Sequence, residues 1–347
     1  MIKKFTIKDI AELAGVSKGT VDRVLHKRGR VSEDALKKVT DILDQIDYHP
    51  NPIAKTLKSN KVYHFSLIIP DATQDSFWSP CLNAVKEVKR KYQNFGISIQ
   101  THSYASNDAK SFYSTCETVI ESCPDALLIA PLFYKEACKI ADICESKNIQ
   151  LMTFNNTLKR DKSLNFVGQD LFKSGRIAAK LFDTILDKGN ITIAHIDQDF
   201  DNATHMQAKE KGFRNYFEEV NKKGFHIDTF YGYHNNLQKS IQELTNHICN
   251  KNTNGLFITT SKTYISEEIK TIYKNNLKVI GYDLIKKNTN LLKEGVIDFL
   301  IHQNPQHQTF IGLSQLAEFF LFETKITSET LLPIDIINSE NYDQYLE

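Results

Sequence analysis

The sequence predicts an α/β chain in two parts. A small all-α head carries a helix-turn-helix and a following short helix. The large body has two lobes, each a doubly wound parallel sheet. Three observations carry this reading. Residues 6–46 hold three helical stripes with capping residues at fixed spacing. After residue 61, apolar runs alternate with helical stripes, and the rhythm is repeated in two successive rounds. The charge is uneven: residues 1–61 hold 13 Lys and Arg against 8 Asp and Glu, and the remainder 30 against 34. A chain of net charge +1 therefore gathers its positive charge at one end, where phosphates would be met. The expected boundaries are 1–50 for the head, 51–61 for the hinge helix and linker, and 62–347 for the body. Lobe 1 takes about 62–167 and 302–326, and lobe 2 about 168–301 and 327–347.

In the head, Thr6 can N-cap the first helix, with Asp9 three residues on as its capping-box partner. Ile10, Leu13 and Ala14 fall on one face. Gly15 sits where the chain must turn, and Ser17 caps the second helix. Val21, Val24 and Leu25 form its buried side, which leaves Lys18, Gly19, Asp22 and Arg23 outside near its start. That is the part of a recognition helix that reaches base edges in the major groove. Arg23 can donate two hydrogen bonds to guanine. Ser17, Thr20 and the helix N-terminus suit phosphate oxygens. Asp22 either accepts from a cytosine amino group or pairs with His26 one turn on. Ser32 caps a third helix running to Ile46, with Leu36, Val39, Leu43 and Ile46 as its stripe. Residues 51–58 are a short helix candidate.

In the body, strands are expected at 64–69, 97–101, 126–129, 150–154, 191–196, 225–230, 255–259, 278–282 and 298–302. Helices are expected at 82–92, 112–121, 137–146, 176–186 and 208–220, with further helices between the later strands. Ligands of such sheets sit beyond the carboxyl ends of the strands. Those positions carry Asp75, Phe77 and Trp78 after the first strand, Asn155 and Asn156 after the fourth, then Thr260, Ser261, Asp283 and Gln303. Aromatic faces with amides and carboxylates suit a polyhydroxylated ring. Singly, each residue could be a strand-end cap or turn residue, and Trp78 could be core packing.

No segment approaches the roughly 18 uninterrupted apolar residues of a membrane span, and charges interrupt the N-terminus where a signal peptide would be apolar. A cytoplasmic protein is expected. The six cysteines lack paired C-x-x-C spacing, so they read as small buried hydrophobes, not as disulfides or zinc ligands. No metal or other cofactor is expected.

The head resembles the lactose-repressor (LacI/GalR) family of bacterial transcription regulators. Thr6-Ile7-Lys8-Asp9-Ile10-Ala11, Ala14-Gly15-Val16-Ser17, Thr20-Val21, Arg23-Val24-Leu25, Val31-Ser32 and Tyr48 to Ala54 carry the resemblance. It implies base reading at Lys18, Gly19 and Arg23, and phosphate contacts at Thr6, Ser17, Thr20 and Ser32. It also implies a hinge helix from Asn51 that adds Ala54, Leu57 and Lys58 to the DNA-binding set, with Leu57 as a minor-groove wedge. Asp22, Pro52 and Lys58 depart from the family's usual Ser, Arg and Ala. The body is similar to the same family's sugar-binding fold and to ribose-type (type I) periplasmic binding proteins. Phe166 to Asp170, Gly175-Arg176, Lys211-Gly212-Phe213, Val279 to Asp283 and Ile301 to Pro305 carry that likeness. It implies effector contacts at Asp75, Phe77, Trp78, Asn155, Asn156, Lys209, Thr260, Asp283 and Gln303, and at Asp170 as in some relatives. Asn155 replaces the usual Asp, and Asn156 and Lys209 replace the usual Arg. Lys209 either favours an anionic ligand or pairs with Asp283 or Asp75.

The expectation is a homodimeric, effector-responsive DNA-binding regulator, acting as a repressor on a near-palindromic double-stranded operator. Its effector would be a sugar, sugar acid or cyclitol. The alternatives are the same regulator with a body sensing a protein partner, or a sugar-acting enzyme with an accessory head. Against the enzyme, the chain has no P-loop, G-x-S-x-G, H-E-x-x-H or glycine-rich fingerprint, so no catalytic residue is expected.

Overall fold

In the computed structural model, the described residues are 5–26, 28–46, 48, 61–158, 164–196, 199–233, 236–273 and 276–345. The expected hinge-helix residues Asn51, Ala54, Leu57 and Lys58 lie outside them. The chain forms two compact units, Met1–Asn60 and Lys61–Glu347.

The head unit holds α1 (Ile7–Ala14), α2 (Lys18–Leu25) and α3 (Glu33–Gln45). Each begins at the cap that local chemistry dictates. The Thr6 hydroxyl accepts from Asp9 N, and Thr6 N donates to Asp9 Oδ2 at 2.7 Å, a complete capping box. Ser17 and Ser32 cap α2 and α3 through the backbone N–H three residues on. Gly15 ends α1 at φ +63°, the left-handed conformation a tight inter-helix turn demands. Ile10, Val21 and Val39, one from each helix, are fully buried at the centre of this small core. Two expectations fail here: Leu13 is 53 % and Leu36 47 % exposed. Each sits at the margin of its stripe, and a three-helix core this small covers only the middle of each face.

The body contains two six-stranded sheets. The first runs in the order β11-β5-β4-β3-β1-β2, from β1 (Tyr63–Pro70), β2 (Ile97–Tyr104), β3 (Ala126–Ile129), β4 (Gln150–Phe154), β5 (Asn165–Gly168) and β11 (Glu329–Leu331), all parallel. The second is β12-β10-β9-β8-β6-β7, from β6 (Gly189–His195), β7 (Phe225–Tyr231), β8 (Thr253–Ile258), β9 (Lys278–Tyr282), β10 (Phe299–His302) and β12 (Asp335–Ile337). Only β12 pairs antiparallel among these strands. The connecting helices are α4 (Ser79–Tyr92), α5 (Ala109–Glu121), α6 (Tyr134–Ser146), α7 (Leu171–Ile185), α8 (Thr204–Val220), α9 (Leu237–Lys251), α10 (Ser266–Ile272), α11 (Lys286–Lys293) and α12 (Pro305–Phe322).

Each sheet reverses its winding beside its first strand, which places crevices at the carboxyl ends of β1 and β3 in one lobe and of β6 and β8 in the other. The chain crosses between sheets at 169–170, 303–304 and 332–334. Gln169, buried at the first crossing, ties the other two: its Nε2 donates to the His302 carbonyl at 2.9 Å and the Pro333 carbonyl at 2.6 Å. The last crossing corrects the expected lobe boundary. Residues 327–331 belong with the first sheet, because β11 pairs with β5 along Glu329–Leu331.

Most element bounds match their sequence expectations within a turn. The short strands β5, β11 and β12 were not expected. The cysteine reading also needs correction: Cys81, Cys116 and Cys144 are buried, but Cys123 and Cys249 are exposed. No described helix is long and apolar enough to cross a membrane.

Candidate DNA interface and effector cleft

On the head, Val21 faces the core while Lys18, Gly19, Asp22 and Arg23 are exposed. The expected base-reading face of α2 is thus open. Thr6, Ser17 and Ser32 are exposed at helix N-termini, where their hydroxyls cap the backbone. The Ser17 and Thr20 hydroxyls also lie 2.9 Å apart. A hydroxyl that accepts from the backbone can still donate to a phosphate oxygen. Asp22 Oδ1 is 3.6 Å from His26 Nε2, so the geometry matches the local pair.

In the body, two residues occupy matching places in the two lobes. Asn155 follows β4 with φ +65°, and Asp283 follows β9 with φ +69°. Asn155 N donates to the Val167 carbonyl, and Asp283 N to the Ile301 carbonyl, each bonding into the next strand. The same left-handed turn turns both side chains out of their sheets, and Asn and Asp tolerate that conformation best after glycine.

Asp283 is buried. Its Oδ1 accepts from Gln303 N at 3.0 Å and its Oδ2 from Gln303 Nε2 at 2.7 Å. Burial pushes its carboxyl pKa up, and the Lys209 charge draws it back; Asp75 adds to the upward push. Lys209, on α8, is 2 % exposed. Its ammonium donates to the Thr259 carbonyl at 2.9 Å and lies 3.5 Å over the Tyr282 ring. Burial drives its pKa well down, against the pull of Asp283. A carbonyl and an aromatic face therefore already hold the ammonium, and the Asp283 charge acts on it through space.

The amides of β4 bring lobe 1 to lobe 2. Asn156 Nδ2 lies 3.4 Å from His205 Nδ1 and from the Pro131 carbonyl. Burial holds the His205 pKa well below the ordinary range, helped by Lys209 and His195, so its neutral ring can accept. Asn155 Nδ2 and Asn156 Oδ1 are buried without a protein hydrogen-bond partner among the described residues. A buried donor and acceptor left open at a cleft suit the hydroxyls of a ligand.

The other predicted residues separate into two groups. Phe77 and Trp78 are buried edge-to-face at 4.7 Å, and Trp78 packs edge-on against Phe154, the last residue of β4, at 6.0 Å. They form the apolar wall behind the amides. Asp75 caps the short 3-10 turn Ser76–Trp78, Asp170 caps α7 through Lys173 N, and Thr260 accepts from Lys262 N at 3.4 Å. These three thus have local capping work as well.

Several residues that sequence reasoning did not single out also join the lobes. Asn202 Oδ1 accepts from Lys135 N at 2.9 Å, and its Nδ2 donates to Glu136 Oε2 at 2.8 Å, a clasp from lobe 2 to the start of α6. Beside it opens a cavity of about 600 Å³. Phe133 and Asn107 line it from lobe 1, and His195, Phe200 and Tyr231 from lobe 2. None of the ten predicted effector residues lines it. The strand-end rule could have found His195 and Tyr231, which end β6 and β7.

Beneath the cavity, Glu210 Oε2 meets His195 Nε2 at 2.8 Å, and its Oε1 accepts from Thr229 at 2.6 Å and Arg214 Nε at 2.8 Å. Burial pushes the Glu210 carboxyl up, but these hydrogen bonds outweigh it and bring the pKa down to about 2. A depressed carboxyl stabilises the fold fully above its ordinary pKa of 4.5, and that contribution is lost as pH falls toward about 2. Urea unfolding of Glu210→Gln should show a constant stability deficit above pH 4.5. The deficit should shrink as pH is lowered through that window. A deficit independent of pH would contradict the charge-based account.

Two family profiles cover these units. The bacterial regulatory protein lacI family matches residues 6–51, and the periplasmic binding protein domain matches residues 65–322. The chain belongs to the periplasmic binding protein domain family over its body, and its head matches the lacI family. Among its curated relatives, the sucrose operon repressor of Streptococcus mutans is 26 % identical over 292 residues, covering 82 % of this chain and 83 % of its own length. The regulator MalR of Streptococcus pneumoniae is 33 % identical over 100 residues, which is 28 % of this chain and only 30 % of MalR. A Bacteroides fragilis structure described as a LacI transcriptional regulator superposes with TM-score 0.76 at 26 % identity, covering 82 % of this chain and all of that one.

Proposed function

We propose that the chain is a sugar-responsive DNA-binding transcription regulator, acting as a repressor and working in the cytoplasm as a homodimer. The observation that carries the reading is the open face of α2, with Arg23 and Lys18 exposed at a capped helix start, on the same chain as a two-lobed binding-protein body. Each head would read one half-site, so a two-fold dimer calls for a near-palindrome. The body would hold its effector between Asn155 and Asn156 on one side and Asp283 and Gln303 on the other. Ligand-dependent movement of the lobes would alter the spacing of the two heads through the segment that joins head and body. Because the Lys209 ammonium already has internal partners, a neutral polyhydroxylated ligand is favoured over an anionic one. The relatives are transcription regulators, and no catalytic role is assigned to any residue here.

Selection of duplexes from a random DNA pool by the full chain tests this. Enrichment of a two-fold symmetric sequence is expected, with binding that weakens steeply with salt as counterions are released. Arg23→Ala should weaken binding to the enriched duplex by about 1–3 kcal/mol and relax one position in each half-site. Retained affinity with unaltered sequence preference in that variant would remove Arg23 from the reading set.

A further inference from the structure

We infer that the outer inter-lobe cavity is a second subsite of the effector cleft, built for another neutral ring, so that the effector is a disaccharide or glycoside and not a free monosaccharide. This rests on the sugar-responsive reading above and deepens it.

The cavity and the deep site are joined through bonded neighbours. Thr259 gives its carbonyl to Lys209 in the deep site, and its hydroxyl lies 2.9 Å from His195 Nδ1 at the cavity floor. On the lobe 1 side, Asn156 lies 3.4 Å from the Pro131 carbonyl, and Phe133 of the cavity wall stands two residues further on. The cavity is thus the outer neighbour of the deep site, the place that a second ring of a ligand anchored there would enter.

The lobe 2 wall is aromatic. His195 and Tyr231 stack with centroids 5.6 Å apart at 25°, His195 and Phe200 lie 4.5 Å apart, and Phe200 meets Tyr231 edge-on at 5.0 Å. Both ring nitrogens of His195 are engaged, by Thr259 and Glu210, and the ring is 1 % exposed, so it backs Phe200 and Tyr231 and offers the cavity no donor. Tyr231 is 55 % exposed at the end of the edge strand β7, so its ring face is open. Flat faces of this kind pack on the C–H side of a sugar ring. Asp199 and Asp201 stand exposed among the lining residues. Their carboxylates accept from hydroxyls and repel a phosphate or carboxylate, which argues against an acidic outer ring. A volume of about 600 Å³ lies within the usual range for small-ligand sites, on the order of 300–1,000 Å³, before any of the deep residues are included.

The test is calorimetric titration of the full chain with paired probes: glucose, galactose, fructose and ribose against maltose, lactose, sucrose and the methyl and phenyl glycosides. At least one two-ring probe should bind at least about tenfold tighter than its own free monosaccharide. Tyr231→Ala should erase that ratio, so that the two probes bind alike, while Tyr231→Phe, which keeps the ring face, should preserve it. Phe200→Ala serves as a second variant with the same expected loss. Equal affinities for monosaccharide and glycoside in the wild type, or a ratio untouched by Tyr231→Ala and Phe200→Ala, overturn the subsite and leave the sugar reading standing. Binding of none of the probes overturns both.

Discussion

Asp283→Asn is expected to abolish the response to effector while operator affinity stays at the wild-type level. Asparagine tolerates the φ of +69° at this position, so the turn after β9 survives. What changes is the chemistry. One of the two oxygens that accept from Gln303 becomes a donor facing the Gln303 amide, and the carboxylate opposing Lys209 disappears. Leaving buried polar groups unpaired costs about 1–3 kcal/mol each. Ligand affinity should fall by one to two orders of magnitude at least, beyond the range in which the wild type is saturated. The head is a separate compact unit and keeps its DNA-reading face. Calorimetry and operator titration on the same preparation check both halves. A variant that responds with the wild-type midpoint would take Asp283 out of the effector site.

The largest stability loss is expected from Gly175→Ala, with Gly212→Ala close behind. A Cβ at Gly175 would stand 1.9 Å from the Lys209 carbonyl oxygen, and one at Gly212 would stand 1.9 Å from that of Phe172. The backbones of α7 and α8 touch through these two glycines, and no rotamer change can relieve a clash with backbone. Overpacking costs about 1–3 kcal/mol where side chains can yield, and more where they cannot. We therefore expect each variant to lose at least about 3 kcal/mol in urea unfolding. The consequence reaches function, because α8 carries His205, Lys209 and Glu210. Pushing it away from α7 moves the ammonium off the Thr259 carbonyl. Wild-type midpoints for both variants would contradict the close crossing.

The helix caps of the head were legible because a cap is a local event. Thr6 with Asp9, Ser17 and Ser32 each bond within three residues, so spacing alone fixes them. The apolar strands were legible for a similar reason, since β1, β3 and β9 are largely buried apolar runs. Asn165–Gly168, Glu329–Leu331 and Asp335–Ile337 gave no such signal. These three are short and broken by polar residues or glycine, and β11 and β12 owe their strand character to the edges they join. Asp283 and Gln303 fall at strand ends, where the sequence puts them, but they bond to each other on one side instead of facing each other across a cleft. The clasp at Asn202 was not legible, because its partners at Lys135 and Glu136 lie in the other lobe and only the folding of both sheets brings them together. Lys209 was named in sequence by resemblance, but its carbonyl and aromatic partners come from β8 and β9, and only their approach explains how a lysine can be buried there.

The most direct test of the central claim joins its two halves in one titration. A selected operator duplex, fluorescently labelled, is titrated with the full chain in the presence and absence of each sugar probe, while the emission of Trp78, the single tryptophan, reports occupancy of the body. The account predicts that a probe which alters Trp78 emission also shifts the operator midpoint at least about tenfold, a coupling of about 1.4 kcal/mol. A probe that saturates the body, by Trp78 and by calorimetry, yet leaves the operator midpoint unmoved would contradict it.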